Sequence, residues 1–511
     1  MPILEFNLPK SLVEALKLPG NSAARQQAKV LKKLLKKSKH TDFGEYYKFS
    51  EILKSKDPAA AFRSSIPAYD YSSLHKQWWH QTLEGKEDVC WPGKIKYFAL
   101  SSGTSEAASK YIPITNDLMK GNRIVMIKQL LSLRNYENVP FKSIGKGYLM
   151  LGGSTDLQKG PGYFAGDLSG ITAKKAPFWF SPFYKPGKKI AKTRDWNNKL
   201  EAIVEEAPNW DIGFLVGVPA WIQMCIEMII ERYQLKHIHE LWPNLAFFCH
   251  GGVAFEPYKK GFEKFLGKPI TYIETYLASE GFLAYQDRQY PDGMKLVLNE
   301  HIFFEFVPFD DINFDADGNI MPGAKSLLID EVSEEKDYAL LISTSAGAWR
   351  YLIGDTIRFV NKERSEIIIT GRTKHFLNLV GEHLSVDNMN KAVQTAAEKL
   401  NVSITEFTVA GFPIDGFFGH QWYIGSDDKV NTNELKMHID NALKELNDDY
   451  LVERKTALKD IMVNVLPERV FLEFMEQKGK LGGQHKFPRV IKGSLYEEWK
   501  AFLNTNVNNQ Q

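Results

Sequence analysis

The stretch Ser101-Ser102-Gly103-Thr104-Ser105-Glu106-Ala107-Ala108-Ser109-Lys110 follows the apolar, strand-like run Tyr97-Phe98-Ala99-Leu100. It places hydroxyls, one glycine and a trailing lysine in a single turn. Glycine lets backbone N–H groups point inward, and short hydroxyls with an ammonium complete an anion cradle. Clusters of Ser, Gly and Thr equally mark ordinary polar turns. Whether this loop grips phosphate or is plain surface is decided by what surrounds it.

Outward from the loop, residues 95 to 330 alternate short apolar runs with helical patterns. Candidate strands are Tyr148–Leu151, Ile212–Val216, Leu245–Cys249 and Ile270–Glu274. Helical spacing occupies Asn197–Glu206 and Pro219–Tyr233. Strand–helix alternation argues for an α/β architecture with mainly parallel pairing. The run Ile212 to Ile230 is long and apolar, but Gly217, Pro219, Gln223 and Glu227 make it a buried strand, a turn and a core helix rather than a membrane span. Close-spaced strands follow at Val297–Leu298, Phe303–Val307 and Ala339–Ser343, with turns such as Asp317-Gly318, which predicts an antiparallel or β-barrel-like section. Past residue 372 the texture changes again. Helices are expected at Asp387–Leu400 and Glu434–Asn447, and strands at Phe407–Phe412, Gln421–Ile424 and Val470–Phe474. The expected fold class is therefore α/β: a large N-terminal domain of α/β sheets plus the barrel-like section, and a smaller α+β C-terminal domain.

The totals agree. A chain of 511 residues exceeds one ordinary core. Its 64 basic and 62 acidic side chains leave a net charge of +2, so nothing global demands nucleic acid or an anionic membrane. Residues 22–38 form a basic amphipathic pattern in which Lys32, Lys33, Lys36 and Lys37 read as a solvated face. Cys90, Cys225 and Cys249 are too far apart for a disulfide framework or a CxxC knuckle, and a cytoplasmic, reducing compartment fits. The N-terminus lacks the basic-then-apolar layout of a signal peptide.

Four further stretches concentrate polar chemistry beside turns. His250-Gly251-Gly252 ends a strand, where paired glycines admit a flat ligand or simply a tight turn. Tyr276-Leu277-Ala278-Ser279-Glu280-Gly281 offers an aromatic face, a hydroxyl and a carboxylate at a strand end, where open α/β sheets place ligands. Glu280 suits Mg²⁺, which takes one or two carboxylates plus phosphate oxygens, and equally suits a helix start. Trp349-Arg350-Tyr351-Leu352-Ile353-Gly354-Asp355 sets an aspartate past a turn glycine, able to hold both ribose hydroxyls or to cap a turn. Gly483-Gln484-His485-Lys486-Phe487-Pro488-Arg489 puts cations on an irregular loop. No zinc set or hydrolytic triad stands out, and the first loop lacks the GxxxxGK[ST] pattern.

The order of these stretches resembles the adenylate-forming superfamily of acyl-CoA synthetases, luciferases and peptide-synthetase adenylation domains. More narrowly it resembles the auxin-responsive Gretchen-Hagen-three family of acyl-acid amido synthetases. Ser101–Pro113 is similar to that family's Ser-Ser-Gly-Thr-Ser…Lys-x-Ile-Pro signature, Tyr276–Gly281 to its Tyr-x-x-Ser-Glu, Leu341–Asp355 to its Thr-x-x-Gly-x-Tyr-Arg-Tyr-Arg-x-Gly-Asp, and Gln484–Arg489 to its Gln-Tyr-Lys-Thr-Pro-Arg. Thr41–Gly44 resembles its early Thr-x-Phe/Tyr-Gly. Ala107 stands where the family often has glycine, Trp349 where it has tyrosine and Leu352 where it has arginine. The superfamily's hinge segment is matched at Gly371-Arg372-Thr373-Lys374, which implies domains of 1–372 and 373–511.

The resemblance implies ATP-dependent adenylation of a carboxylic acid and transfer of the acyl group to an amine, an amino acid; transfer to coenzyme A, or a catalytically silent nucleotide-binding protein, are the alternatives. It implies that Ser101, Ser102, Gly103, Thr104, Ser105 and Lys110 hold the phosphates that leave, and that Glu280 holds Mg²⁺. Tyr276 would stack on adenine over Gly251 and Gly252, with Ser279 in the same motif, and Asp355 with Arg372 would fix the ribose. Lys486 would reach the α-phosphate or the attacking carboxylate. Phe214, Val218, Trp221 and Phe255 are the apolar candidates near these motifs, with Val218 and Trp221 expected in the acyl pocket or in the core.

Overall fold

A computed structural model describes residues 22–101, 110–252, 255–289, 291–315, 318–373, 377, 379, 382, 384–414, 417–454, 458–479 and 487–506. In chain order the strands are β1 (Tyr97–Ser101), β2 (Lys110–Ile114), β3 (Gly147–Met150), β4 (Gln158–Gly160), β5 (Tyr163–Gly166) and β6 (Tyr184–Lys185). Next come β7 (Ile212–Gly217), β8 (Phe247–Gly251), β9 (Thr271–Ala278), β10 (Gly281–Tyr285), β11 (Met294–Leu296) and β12 (Ile302–Pro308). The last are β13 (Asp337–Thr344), β14 (Tyr351–Asn361), β15 (Glu366–Arg372), β16 (Glu406–Ile414), β17 (Phe417–Gly425) and β18 (Leu458–Leu466). The principal helices are α1 (Ala23–Ser38), α2 (Asn116–Ser132), α3 (Trp196–Glu206), α4 (Pro219–Tyr233), α5 (Glu256–Glu263), α6 (Val386–Leu400), α7 (Thr432–Leu446), α8 (Glu468–Gln477) and α9 (Gly493–Asn506).

The large domain is built on one eleven-stranded sheet, ordered β12-β13-β14-β15-β11-β10-β9-β8-β7-β3-β6. From β6 to β9 neighbouring strands run parallel; from β9 to β12 they run antiparallel. Of the antiparallel or barrel-like section expected, the antiparallel pairing is present and the barrel is corrected by this order. Among the described residues the antiparallel strands extend the parallel ones in an open sheet, and β12 ends as an edge instead of closing a ring. Val297–Leu298 lies just beyond β11 in a turn, and Tyr276 lies within β9 instead of after it. A separate four-stranded sheet, β2-β1-β5-β4, carries the first loop: β1 and β2 are antiparallel, with Ser101 opposite Lys110.

Local chemistry sets these elements. Proline opens α4, where its missing N–H costs nothing, and Gln234 closes it in the left-handed conformation. Helix α1 buries Val30, Leu31, Leu34 and Leu35 and keeps Lys32, Lys33, Lys36 and Lys37 exposed, the solvated-face pattern expected. Its buried Gln27 donates to the carbonyls of Leu298 and Ile302 (2.8 and 3.1 Å) and accepts from the Phe304 N–H (2.7 Å), which ties the helix to β12.

The smaller domain is a three-stranded sheet, β16-β17-β18, covered on both faces. Because side chains alternate across a strand, Val409 and Trp422 face the core of α6 and α7, while their neighbours Ala410 and Tyr423 face that of α8 and α9. A capping box of Ser385 and Asn388 starts α6. The expected strand Val470–Phe474 is instead the middle of α8. Val470, Phe471, Phe474 and Met475 are buried at helical spacing, whereas a strand would bury every second residue. The strand that was not anticipated is β18.

Candidate active site

The parallel-to-antiparallel switch of the large sheet is the β9–β10 hairpin, whose turn is Ser279-Glu280. Gly281 begins β10 at φ 154°, and a Cβ there would stand 2.8 Å from Ile302 Cδ1. Asn122 of α2 accepts the Phe282 N–H at 3.1 Å and fixes the strand just beyond the turn. Glu280 is thereby held in the interior, 7% exposed. Burial, with the Asp355 charge adding to it, holds its carboxyl above the ordinary range, while the Lys110 ammonium and Arg372 guanidinium pull the other way. The Tyr351 hydroxyl hydrogen-bonds Glu280 and, through burial first, resists ionisation.

Beside this turn, Asp355 on β14 lies opposite Arg372 on β15. Arg372 Nε is 3.2 Å from Asp355 Oδ1, and Tyr276 donates its hydroxyl to Asp355 Oδ2 at 2.6 Å. Gly354, at φ 91°, precedes the aspartate, and a side chain on it would crowd the Arg372 guanidinium at 3.3 Å. The Asp355 charge raises the guanidinium's already high pKa. The pair is partly open to solvent, with side-chain exposures of 18% and 39%. Tyr276 is 6% exposed, and burial followed by the Asp355 charge keeps its hydroxyl protonated. Lys110, at the head of β2, sits 5.5 Å over the Tyr71 ring, and the Tyr71 hydroxyl accepts the Tyr111 N–H at 2.8 Å.

The structure thus brings Lys110, Tyr276, Ser279, Glu280, Asp355 and Arg372 together at one place. Gly251, at the end of β8, pairs with Thr275 next to Tyr276, and a Cβ on it would strike the Thr275 carbonyl at 2.4 Å. Gly252 follows at φ 87°. Both glycines therefore have a steric reason at the strand end. Ser101 ends β1. Ser102, Gly103, Thr104, Ser105, Ala107 and Lys486 fall outside the described residues. Val218 caps α4 and Trp221 lies in its first turn, in the core formed by α3, α4 and β7, with Trp221 edge-on to Trp196 at 4.7 Å. Trp221 also lines a cleft of about 180 Å³ with Trp196, Met224 and the α8 residues Leu472, Glu473 and Glu476. Phe214 sits in a small core with Phe247, and Phe255 in the core of α4.

Two participants were missed in the sequence. Tyr351 lies inside the Trp349–Asp355 stretch and was visible there as an aromatic beside the glycine turn; Tyr71 had no motif to signal it. Among the described residues no group of three or more His, Cys, Asp or Glu could hold a metal. A lone buried carboxylate beside Lys110 is nevertheless a donor set that fits Mg²⁺ when phosphate oxygens and water complete its shell.

Comparison with known proteins agrees in the same order along the chain. Residues 13–204 match the GH3 family N-terminal domain, 295–366 the GH3 family central domain and 387–494 the GH3 family C-terminal domain. A jasmonoyl–L-amino acid synthetase of Nicotiana attenuata, JAR6, is 21% identical over 98% of this chain and 96% of its own. A probable indole-3-acetic acid-amido synthetase of Oryza sativa subsp. japonica, GH3.6, is 28% identical over 30% of this chain, which spans 32% of that protein. The solved structure of the GH3.15 acyl acid amido synthetase superposes with a TM-score of 0.76 at 16% identity, over 97% of this chain and 95% of that one, so the fold is shared. With all three of its domain types matched in sequence and one fold from end to end, the chain belongs to the GH3 family.

Proposed function

We propose that this protein is a ligase that uses ATP to adenylate a carboxylic acid and then passes the acyl group to an amine, an amino acid. The observation that carries the proposal is the convergence of Lys110, Glu280, Asp355 and Arg372 at the switch point of the large sheet. A cation at the end of a Ser/Gly/Thr loop suits departing phosphates. An aspartate ordered by an arginine and a tyrosine suits a ribose diol, and a buried carboxylate suits a metal that bridges phosphate oxygens. One relative is named as a jasmonoyl–L-amino acid synthetase and another as an acid-amido synthetase, which supports an amine acceptor and, from the first, an amino acid.

In this reading the acid's carboxylate attacks the α-phosphorus and pyrophosphate leaves. Charge crowds the phosphoryl group, so the protein's contribution is positioning and electrostatic stabilisation. Lys110, with Ser101, Ser102, Gly103, Thr104 and Ser105, holds the β- and γ-phosphates. Asp355, held by Arg372 and the Tyr276 hydroxyl, orients the ribose, and the Tyr276 ring stacks on the adenine over Gly251 and Gly252. Glu280 holds Mg²⁺, which would neutralise the leaving group. Lys486 serves the α-phosphate from a C-terminal domain that begins after Arg372, so the proposed domains are 1–372 and 373–511. Cys90, Cys225 and Cys249 are unpaired, which supports a cytoplasmic site of action; no helix among the described residues is long and apolar enough to cross a membrane.

ATP–pyrophosphate exchange across a panel of carboxylic acids tests the proposal, followed by addition of amino acids or coenzyme A. Acid-dependent exchange with turnover driven by an amino acid is expected. Bound ATP with no exchange for any acid would remove the proposal, and turnover driven by coenzyme A instead would replace its second step. Lys486→Ala should lower exchange at least about tenfold, the order of one charge-assisted hydrogen bond, with ATP binding kept.

A further inference from the structure

The two domains meet at a buried polar cluster that lies outside the candidate active site. Tyr258, on α5, is 3% exposed and belongs to the core of the large domain. Its hydroxyl donates to Glu406, the first residue of β16 in the small domain. Arg489 donates to the other Glu406 oxygen at 2.6 Å and to the Phe407 carbonyl at 3.0 Å, and its guanidinium covers the Phe407 ring at 4.4 Å. The Tyr258 hydroxyl also shares a hydrogen bond with Arg489. The backbone at Arg489 is itself fixed. The Arg489 carbonyl accepts from the Val409 N–H, and the Ile491 N–H donates to the Val409 carbonyl, each at 2.9 Å, which adds this segment to the edge of β16. Glu406 and Arg489 are 18% and 13% exposed, so the pair is largely out of water.

The sequence positions of these groups give the cluster its meaning. Arg489 follows Lys486 by three residues, and Tyr258 follows the Gly251-Gly252 turn by six. One buried cluster therefore joins the chain that carries the late lysine to the helix that follows the base-side glycines. Elsewhere on the meeting surface carboxylates gather: the charges of Asp427, Glu406 and, from α4 of the large domain, Glu227 act on Glu468 of α8, and Arg469 lies with Glu473 and Glu476 in the cleft beside Trp221. Arg489 is the cation paired with Glu406 there, and the Tyr258 hydroxyl of the large domain hydrogen-bonds with both.

We propose that Tyr258, Glu406 and Arg489 form a latch that holds the small domain in the arrangement serving adenylation, and that the latch opens for acyl transfer. The three act as positioning residues, since none touches the reacting atoms. The inference rests on the adenylation reading above, but the latch itself is a statement about domain position and is measurable without any substrate. Removing the Tyr258 hydroxyl is the least disruptive break, because Glu406 and Arg489 remain paired with each other.

The experiment compares wild-type protein with Tyr258→Phe and Glu406→Gln. Spin labels on cysteines introduced at the exposed Lys236 and Lys399, one in each domain, report the interdomain distance. In the wild type one narrow distance is expected, and in both variants a second population. ATP–pyrophosphate exchange should fall about tenfold, the value of one buried hydrogen bond to a charged group, while aminolysis of a supplied acyl-adenylate keeps its rate. An unchanged distance distribution in both variants would overturn the latch. So would an equal fall in exchange and aminolysis, which would assign the residues to the fold alone. If the wild type exchanges with no acid, the functional proposal fails while the distance measurement still decides the latch.

Discussion

Two of the arginine–carboxylate pairs made by the stretch from Leu341 to Arg372, those of Arg350 and Arg372, differ in how completely they are enclosed. Arg350 and Glu305 are 7% and 0% exposed. Arg350 Nε donates to both Glu305 oxygens at 3.1 Å, Nη1 to the carbonyls of Arg63 (2.9 Å) and Ile66, and Nη2 to Ser326 Oγ at 3.0 Å, with the Arg350 backbone at φ 43°. That pair is saturated, and what it fastens is the N-terminal helical segment to the sheet. Arg372 Nε lies 3.2 Å from Asp355 Oδ1 and its Nη2 donates to the Ile353 carbonyl at 3.3 Å, with 39% of the arginine side chain exposed. Tyr276 donates to the same aspartate. A saturated buried pair has nothing left to give a ligand, and a half-open one does. The two pairs, each with one member in the Leu341–Asp355 motif, therefore divide architecture from chemistry.

The largest effect should come from breaking the closed pair. Arg350→Met leaves Glu305 charged and buried, which costs about 3–5 kcal/mol. Denaturant unfolding should show the large domain destabilised by that order. A variant that lost ATP binding at unchanged stability would erase the division between the pairs. Breaking the open pair should do the opposite. Asp355→Asn is expected to weaken ATP binding by about tenfold to a hundredfold, equivalent to ~1.5–3 kcal/mol for hydrogen bonds to a charged group, with the unfolding midpoint kept. Calorimetric titration with ATP reads this directly, and a large loss of stability would place Asp355 with Glu305. Glu280→Gln comes next. The Mg²⁺ concentration for half-maximal exchange should rise by about tenfold, and a superimposable Mg²⁺ titration would take the metal away from Glu280.

Much of this was legible before the structure, for identifiable reasons. Pro219–Tyr233 was read to the residue because a proline start and an apolar core face are local signals. Glu280, Asp355 and Lys110 were found because turn glycines and hydroxyls flank them in sequence. The roles of Arg350 and Tyr351 were not legible. Arg350's partners are 24 to 287 residues away in sequence, and Tyr351 gains its meaning only from Glu280, on another hairpin. The barrel-like section was misjudged because strand spacing reveals antiparallel neighbours but not whether the last strand returns to the first. The strand expected at Val470–Phe474 was misjudged because an aromatic, β-branched run of five is too short to separate period 2 from period 3.6.

A third ionic arrangement supplies the smallest and most diagnostic prediction. At the domain interface Glu468 has carboxylates around it where Glu305 has an arginine. Burial pushes its carboxyl up to about 7; a hydrogen bond with Thr405 pulls the other way, and the charges of Asp427, Glu406 and Glu227 add to the rise. Glu227 is itself raised by burial. A carboxyl whose folded pKa lies above its unfolded value binds its proton more tightly in the folded state, so its stabilising contribution is full below the ordinary carboxylate range. It is lost as pH rises through about 7. Lowering pH from 8 to 5.5 should therefore raise the midpoint of the small domain's transition by roughly 2–4 °C, and Glu468→Gln should flatten that pH dependence. The neutral glutamine keeps the shape of the protonated acid, so the variant at pH 8 should behave like the wild type at pH 5.5. If Glu468→Gln leaves the pH profile as steep as before, the interface carboxylates are solvated and the acidic surface has no part in holding the domains together.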